Sequence, residues 1–221
     1  MITNYPLIIH ETLQYKNIDE KLKFVHITKT SGTYIEELGK QQNLNWGKYD
    51  KYLGMAKLPK TLSILNSPYW HLPLQFFDKY PYKKYTKLFT IVRNPYDRII
   101  SECLCKYGGK FSKNMETNED LNIYINQQVN KKKTLDLSFY HFLPQNLYTH
   151  NEKGEQVIDI IIKYEEIDKF NDLMKQYSID INYIKKKRER KFDIKDISRE
   201  NITLINEVYD LDFIYYNYEK L

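Results

Sequence analysis

A strand–loop–helix pattern at residues 23–36 constrains the fold of this chain more than any other feature. The apolar run at 24–27 is typical of a short buried strand, and residues 28–32 are turn-forming. After them the apolar residues take helical spacing. Thr33 and Glu36 have the spacing of a capping box, which predicts that the helix begins at Thr33. The pattern therefore predicts one unit of a parallel α/β sheet.

The loop of this unit has the chemistry of an anion-binding site. A helix N-terminus presents free backbone N–H groups and the positive end of the helix dipole. Lys29 adds a cation to the loop. Its hydroxyl groups come from Thr30, Ser31 and Thr33. Corners of this composition also occur in purely structural roles, so the local pattern leaves both interpretations open.

The order of residues in the loop bears on which anion it would bind. A Walker A loop, GxxxxGK[ST], has its glycines before the lysine. Here Lys29 comes first, and Gly32 follows three residues later. A P-loop kinase or another phosphotransferase is the enzyme alternative, and this order disfavours it.

A second strand–helix corner carries another candidate anion site. Residues 87–92 form an apolar strand pattern, and Asn94 with Pro95 suits the N-cap and first position of a helix. Arg93, at the end of the strand, can bind a phosphate with two N–H donors. Ser101, two turns into the helix, can add a hydroxyl group. Taken alone, Arg93 also suits an ordinary ion pair, and Ser101 suits a small helix residue.

Both corners resemble the cofactor motifs of sulfotransferases that use 3′-phosphoadenosine 5′-phosphosulfate (PAPS). Residues 26–33, HITKTSGT, resemble the 5′-phosphosulfate loop of that family, whose usual form is close to HIPKTGGTS. Thr28 replaces the usual proline, and Ser31 replaces the usual first glycine. Residues 91–101, IVRNPYDRIIS, resemble the family's 3′-phosphate motif, which is close to VRxPxDRxxS.

The resemblance spans roughly residues 23–218 and implies the sulfotransferase fold. This fold is a single-domain, P-loop-like parallel α/β sheet flanked by helices. We therefore expect an N-terminal arm at 1–22 and a sulfotransferase-like catalytic domain at 23–221. Apolar segments predict strands at 23–27, 61–65 and 87–92, with helices on both faces of the sheet and a later strand within 157–163.

The same resemblance implies transfer of a sulfuryl group from PAPS to an acceptor hydroxyl. Lys29 would stabilise charge on the leaving oxygen. The 5′-phosphosulfate would be bound by Lys29, Thr30, Ser31, Gly32 and Thr33. Arg93 and Ser101 would bind the 3′-phosphate.

His71 is the candidate general base, because an imidazole can accept the proton of a hydroxyl nucleophile. It follows the predicted strand at 61–65 and resembles the acceptor-side histidine of a GHxP-like segment, with Trp70 in place of glycine. A carboxylate could serve in the same role. Residues 141–145, HFLPQ, resemble an HFxPQ segment of Golgi-type carbohydrate sulfotransferases, which implies a carbohydrate acceptor. Gln145 in this segment suits either a buried turn or a ligand contact.

Positive charge is concentrated in one segment of the chain. The net charge is +5, and Lys185 to Lys191, KKKRERK, holds six basic residues and one acidic residue. The segment suits a polyanionic ligand or a solvated face. A nucleic-acid-binding module that uses this segment with Tyr183 and Phe192 is the non-enzyme alternative, although we do not expect a nucleic-acid partner.

Composition limits the class of protein further. With 221 residues of which 42% are hydrophobic, the chain suits one domain with a substantial core. No apolar run reaches the roughly 20 residues that cross a membrane, and no signal peptide is evident, so we expect a soluble, cytoplasmic protein. Cys103 and Cys105 lie too close in sequence to suit a mutual disulfide, which favours a reducing compartment. The five histidines and two cysteines form no familiar metal pattern, so no metal is expected.

Overall fold

A computed structural model describes most of the chain from residue 21 onward. The described residues are 21–50, 68–73, 86–105, 115–133, 137–184 and 189–221. The chain divides into two compact units, of which unit 1 comprises 1–92 with 147–185 and unit 2 comprises 93–146 with 186–221. The predicted strand at 61–65 and nearly all of the predicted N-terminal arm lie outside the described residues.

The described residues of unit 1 form a sheet of three parallel strands in the order β1 (Leu22–Val25), β2 (Lys87–Val92) and β3 (Ile160–Lys163). The register pairs Val25 with Thr90 and Val92 with Lys163. The strand predictions at 23–27 and 87–92 are thus confirmed, and the later predicted strand pairs with β2. Because the strands are parallel, the loops after β1 and β3 both start at the carboxyl edge of the sheet.

The apolar core of unit 1 lies on one face of this sheet. Side chains alternate between faces along a strand, and Phe24, Phe89 and Ile162 belong to the same buried cluster. Helices α1 (Gly32–Gln41) and α5 (Asp168–Gln176) contribute Ile35 and Phe170 to that cluster. The prediction of a parallel α/β sheet with flanking helices is confirmed for this face.

Hydrogen bonds fix the segment after α1 against β1. The Trp46 side chain is fully buried, and its Nε1 donates to the Leu22 carbonyl over 3.1 Å. On the other face of the strand, the buried Lys23 ammonium donates to Asp50 Oδ2 over 3.0 Å and to the Asn45 carbonyl over 2.7 Å. Because both partners of this ion pair are buried, the loss of either would leave an uncompensated charge in the interior.

Unit 2 is built mainly from helices around a separate apolar core. These are α2 (Pro95–Cys103), α3 (Asn118–Lys133), α6 (Arg199–Val208) and α7 (Asp210–Tyr216). Their inward side chains include Ile99, Ile125, Ile205 and Phe213. Helix α4 (Asn146–Thr149) begins at the last residue of the first segment of unit 2 and continues into unit 1.

Short 3₁₀ turns connect several of these elements. They span Gly47–Tyr49, Tyr69–His71, Leu137–Phe142, Tyr164–Glu166 and Ile194–Asp196. The Cys103 side chain is buried, and that of Cys105 is half-buried. Among the described helices, none has the length and apolar composition of a membrane-crossing segment.

Candidate active site

The loop between β1 and α1 has an uncommon backbone conformation. Lys29 and Ser31 have φ angles of 66° and 80°, in the left-handed region that side-chain-bearing residues seldom adopt. Thr30, which lies between them, is fully buried, and its hydroxyl donates to the Ile27 carbonyl over 2.8 Å. Thr30 therefore uses its hydroxyl proton to close the turn, so any contact of this residue with an anion would come from its backbone N–H.

Helix α1 begins one residue earlier than predicted, and the capping-box prediction is wrong. Gly32 is the first helical residue, Ser31 is the N-cap, and the Ser31 side chain makes no capping hydrogen bond. Glu36 turns to other partners, and Thr33 is exposed. The first turn of an α-helix has backbone N–H groups without intrahelical partners, and here no N-cap side chain accepts from them. An N-terminus of this kind has the chemistry that suits an anion.

A buried carboxylate–histidine pair lies directly beneath the loop. Glu36 Oε1 lies 2.6 Å from His26 Nδ1 and accepts from the Lys48 backbone N–H over 3.0 Å. A Cβ atom added to Gly32 would lie 2.2 Å from the His26 ring, so only glycine fits at the start of α1. A similar atom on Gly47 would lie 1.8 Å from Glu36 Oε1. The pair therefore fixes the first turn of α1.

His71 lies in the same unit and contacts this pair. It ends the Tyr69–His71 turn, and its ring packs edge-to-face on His26 with 4.5 Å between ring centroids. Its Nδ1 is buried, and its backbone carbonyl accepts from the Tyr148 hydroxyl over 2.7 Å. The structure thus groups His71 with His26 and Glu36.

Tyr183 supports the loop from a distant part of the chain. Its hydroxyl lies 2.8 Å from Ser31 Oγ, and its ring packs edge-to-face on Tyr34. The Asn171 side chain accepts from the Tyr183 backbone N–H over 2.6 Å and donates to its carbonyl over 3.1 Å. Burial raises the pKa of Tyr183, so its hydroxyl keeps its proton at neutral pH. No sequence pattern indicated this contact.

The second corner, in unit 2, fixes Arg93 through its backbone. Arg93 N–H donates to Gln145 Oε1 over 2.9 Å, and Gln145 Nε2 donates to the Arg93 carbonyl over 2.8 Å. Gln145 is fully buried, which supports the buried-turn alternative for this residue. Asn94 caps α2 as predicted, because its side chain accepts from the Tyr96 N–H over 3.0 Å.

Two arginines meet one carboxylate at this corner. Arg93 Nη2 lies 3.9 Å from Asp97 Oδ1, and Arg190 forms an ion pair with the same oxygen. The three side chains carry a net positive charge, which suits an anion. Ser101 lies one turn beyond Asp97 on α2 and is half-buried. Residues 185–188 of the basic segment lie outside the described residues.

A buried frame holds the segment that contacts Arg93. The Arg98 guanidinium is buried and donates to the carbonyls of Leu143 and His141 over 2.8 and 2.9 Å. Asp212 is fully buried and accepts from the backbone N–H groups of Gln145 and Asn146 over 2.8 and 2.7 Å. Burial raises the pKa of Asp212 to about 6. An acid in a predicted helix beside Phe213 was the available sequence signal for such a role.

Another carboxylate–histidine pair lies in unit 2. Glu102 is buried, and its Oε1 lies 2.8 Å from His141 Nδ1. Burial, as the largest cause, raises the pKa of the neighbouring Tyr140 to about 12. Within the described ranges, no group of three or more His, Cys, Asp or Glu side chains could hold a metal ion.

The aromatic residues of the nucleic-acid alternative are not available for base stacking. Tyr183 is buried and bonded to Ser31, and Phe192 belongs to the apolar core of unit 2. Lys191 donates to the Met115 carbonyl over 3.1 Å, so this basic side chain also has a structural contact. These contacts weaken the case for a stacking platform in this segment.

The predicted site residues fall in both units. Unit 1 carries Lys29, Thr30, Ser31, Gly32, Thr33 and His71, whereas unit 2 carries Arg93 and Ser101. Sequence reasoning missed two contacts of this site, namely Tyr183 with Ser31 and Glu36 with His26. Comparison of the chain with protein-family models, with curated proteins and with solved structures finds no match.

Proposed function

We propose that this protein is a sulfotransferase that moves a sulfuryl group from PAPS to an acceptor hydroxyl. The observation that carries the proposal is the left-handed loop at Lys29 and Ser31, which leads from a parallel strand into an uncapped helix N-terminus. The order of Lys29 and Gly32 disfavours a nucleoside-triphosphate loop. We extend the proposal to the finer fold, a single-domain sulfotransferase fold over 23–221.

The donor groups of the loop fit a 5′-phosphosulfate. Helix α1 has no acidic residue in its first turn, so the backbone N–H groups there meet no competing carboxylate of the same helix. Lys29 contributes a positive charge in the loop, three residues before the helix begins. We assign the 5′-phosphosulfate to this loop.

The second corner supplies a different kind of anion site. Arg93 and Arg190 both contact Asp97, and this ion-pair group retains net positive charge. Guanidinium groups bind phosphate oxygens with paired N–H donors. We assign the 3′-phosphate of PAPS to Arg93, with Ser101 as a further hydroxyl donor. The 3′-phosphate also distinguishes PAPS from ordinary adenine nucleotides.

In the proposed reaction the acceptor oxygen forms a bond to sulfur while the bond between sulfur and the 5′-phosphate oxygen breaks. The electron pair of that bond stays on the phosphate oxygen, where Lys29 stabilises the growing negative charge. The acceptor hydroxyl gives its proton to His71. The products are the sulfated acceptor and 3′-phosphoadenosine 5′-phosphate, so charge and atoms balance.

The surroundings of His71 support its role as the base. His26 packs against the His71 ring, and Glu36 fixes His26 in turn, so the His71 ring has a rigid neighbour. A rigid base holds the geometry that proton transfer needs. The resemblance of the HFLPQ segment supports a carbohydrate as the acceptor. We also propose a cytoplasmic location for the protein.

A transfer assay with PAPS labelled in the sulfuryl group tests this proposal. Mixed glycans, peptides and small alcohols are offered in separate reactions, and we expect label on the glycans. Label on peptides alone would contradict the carbohydrate acceptor but keep the enzyme class. Transfer from labelled ATP with magnesium, and none from PAPS, would replace the proposal by a phosphotransferase.

A further inference from the structure

Ser31 occupies a backbone conformation that is unusual for an N-cap serine. Its φ and ψ angles are 80° and 9°, in the left-handed region where glycine is the favoured residue. An N-cap serine normally has an extended backbone, and its side-chain oxygen accepts a hydrogen bond from the first turn of its helix. Ser31 does neither. Some other contact must therefore offset the cost of this conformation.

The contact that Ser31 makes instead is with Tyr183. The two hydroxyl oxygens lie 2.8 Å apart, although 152 residues separate them in sequence. Tyr183 is 6% exposed, and Asn171 of α5 bonds both its backbone N–H and its carbonyl. Tyr164, the first residue after β3, lies close to the Tyr183 side chain. Contacts other than the one with Ser31 thus fix the position of Tyr183.

We infer that Tyr183 is a positioning residue for the anion loop, because its hydroxyl holds Ser31 in the left-handed conformation. This inference rests on the proposed function of the loop. In its left-handed conformation Ser31 makes no side-chain hydrogen bond to the first turn of α1, so its hydroxyl does not compete with a bound anion for the backbone N–H groups there. Without the Tyr183 hydroxyl, Ser31 would favour the extended, self-capping conformation, and its own oxygen would compete with the anion for those donors.

If the Tyr183 hydroxyl holds Ser31 in the left-handed conformation, glycine at position 31 should compensate for the loss of that hydroxyl. Tyr183→Phe should weaken binding of 3′-phosphoadenosine 5′-phosphate by about 3- to 10-fold, the loss expected from one hydrogen bond. Ser31→Gly should bind about as well as the unmodified protein, because glycine adopts the left-handed conformation without a partner. The double variant Ser31→Gly/Tyr183→Phe should then match Ser31→Gly. Ser31→Ala also loses the contact with Tyr183, but it has no side-chain oxygen that could compete for the N–H donors, so it should be weakened less than Tyr183→Phe.

Tyr34→Phe is the matched control. The Tyr34 ring packs on Tyr183, but its hydroxyl is not part of the Ser31–Tyr183 pair. This variant should bind with unchanged affinity. Urea unfolding of each variant shows whether the protein is folded when binding is measured. A role in stability alone would lower the unfolding midpoint of Tyr183→Phe and leave affinity unchanged, which would overturn the inference.

The experiment titrates each variant by calorimetry with 3′-phosphoadenosine 5′-phosphate and with inorganic pyrophosphate. Rescue of Tyr183→Phe by Ser31→Gly supports the inference, and a double variant as weak as Tyr183→Phe overturns it. If pyrophosphate alone binds and shows rescue, the inference stands and the sulfotransferase proposal fails. If the nucleotide binds without rescue, the inference fails and the proposal stands. Absence of binding by either ligand would overturn both.

Discussion

The two strand–helix corners are built differently, and the difference lies in their N-cap residues. Asn94, the N-cap of α2, has a negative φ of −47° with ψ 126°. Its side chain accepts from the Tyr96 N–H. Ser31 is left-handed and caps nothing on α1. Helix α2 also has Asp97 in its first turn, whereas α1 has no acid there. The α2 N-terminus is therefore already satisfied, and the α1 N-terminus can accept an anion.

The two corners would therefore use different donor groups to bind a phosphate. At α1 the donors are backbone N–H groups, which depend on loop conformation more than on side-chain identity. At α2 the donors are the guanidinium groups of Arg93 and Arg190, which depend on their side chains. Substitutions should therefore act on conformation at the first corner and on charge at the second.

Loss of the proposed base should have the largest effect. His71→Ala should lower the transfer step roughly 10²–10⁴-fold, the range for a positioned general base, while nucleotide affinity stays close to normal. The fall in rate on acidification that protonation of an imidazole base causes should also disappear. Single-turnover rates across pH check this. Trp70→Phe, which changes the adjacent aromatic side chain, is the control, and a fully active His71→Ala protein would remove His71 from the mechanism.

Loss of the loop cation should come next. Lys29→Ala should reduce transfer about 10²–10³-fold, because the leaving oxygen becomes most negative in the transition state. Nucleotide affinity should fall much less, since the backbone donors of α1 remain. Rates and affinities measured on the same preparation separate the two effects. Lys40→Ala, at the exposed end of the same helix, should behave as the unmodified protein. Equal losses in rate and affinity at Lys29 would show that its charge acts on ground-state binding.

The frame behind Arg93 should make stability depend on pH. Burial raises the pKa of Asp212 from 3.8 to about 6, so the folded state favours the protonated carboxyl. Its contribution to stability is complete below pH 3.8 and is lost as pH rises through about 6. Asp212→Asn cannot ionise, so its stability relative to the unmodified protein should rise between pH 4 and 7, by on the order of 1–3 kcal/mol.

Urea unfolding of both proteins across this pH range measures the difference. Asp180→Asn, an exposed position, is the control and should give a flat difference. A flat difference for Asp212→Asn as well would show that Asp212 titrates alike in the folded and unfolded chain.

The N-cap of the second corner should have the smallest effect. Asn94→Ala removes the acceptor for the Tyr96 N–H and should cost about 1 kcal/mol of unfolding free energy. Asn94→Ser keeps a capping oxygen and should recover most of that loss. Unfolding midpoints in urea measure both variants. An unchanged midpoint for Asn94→Ala would mean that α2 does not depend on this cap, which would weaken the contrast with Ser31.

Local patterns in the sequence predicted the elements that depend on local chemistry. The apolar runs gave β1 and β2, and Asn94 with Pro95 gave the start of α2. The start of α1 was wrong because Thr33 and Glu36 match a capping box only in spacing. The Glu36 carboxylate is instead bound by His26 and by Lys48, which a bend at Gly47 brings back to α1. Tertiary contacts of this kind override a local motif.

The candidate site divides in the same way. Lys29 and Arg93 follow directly from two motifs and lie on the corners expected for them. Tyr183 did not follow from any motif, because its contact with Ser31 is set by the packing of α5 and not by spacing in the sequence. A side chain that positions a loop from far along the chain leaves no periodic signal.

Calorimetry with two nucleotides tests the proposed function most directly, through the assignment of the 3′-phosphate to Arg93. The unmodified protein should bind 3′-phosphoadenosine 5′-phosphate more tightly than adenosine 5′-phosphate, which lacks the 3′-phosphate. Arg93→Ala should lose most of that preference while it keeps its affinity for adenosine 5′-phosphate, because the α1 corner is unchanged. Equal affinity of the unmodified protein for the two nucleotides would contradict the account.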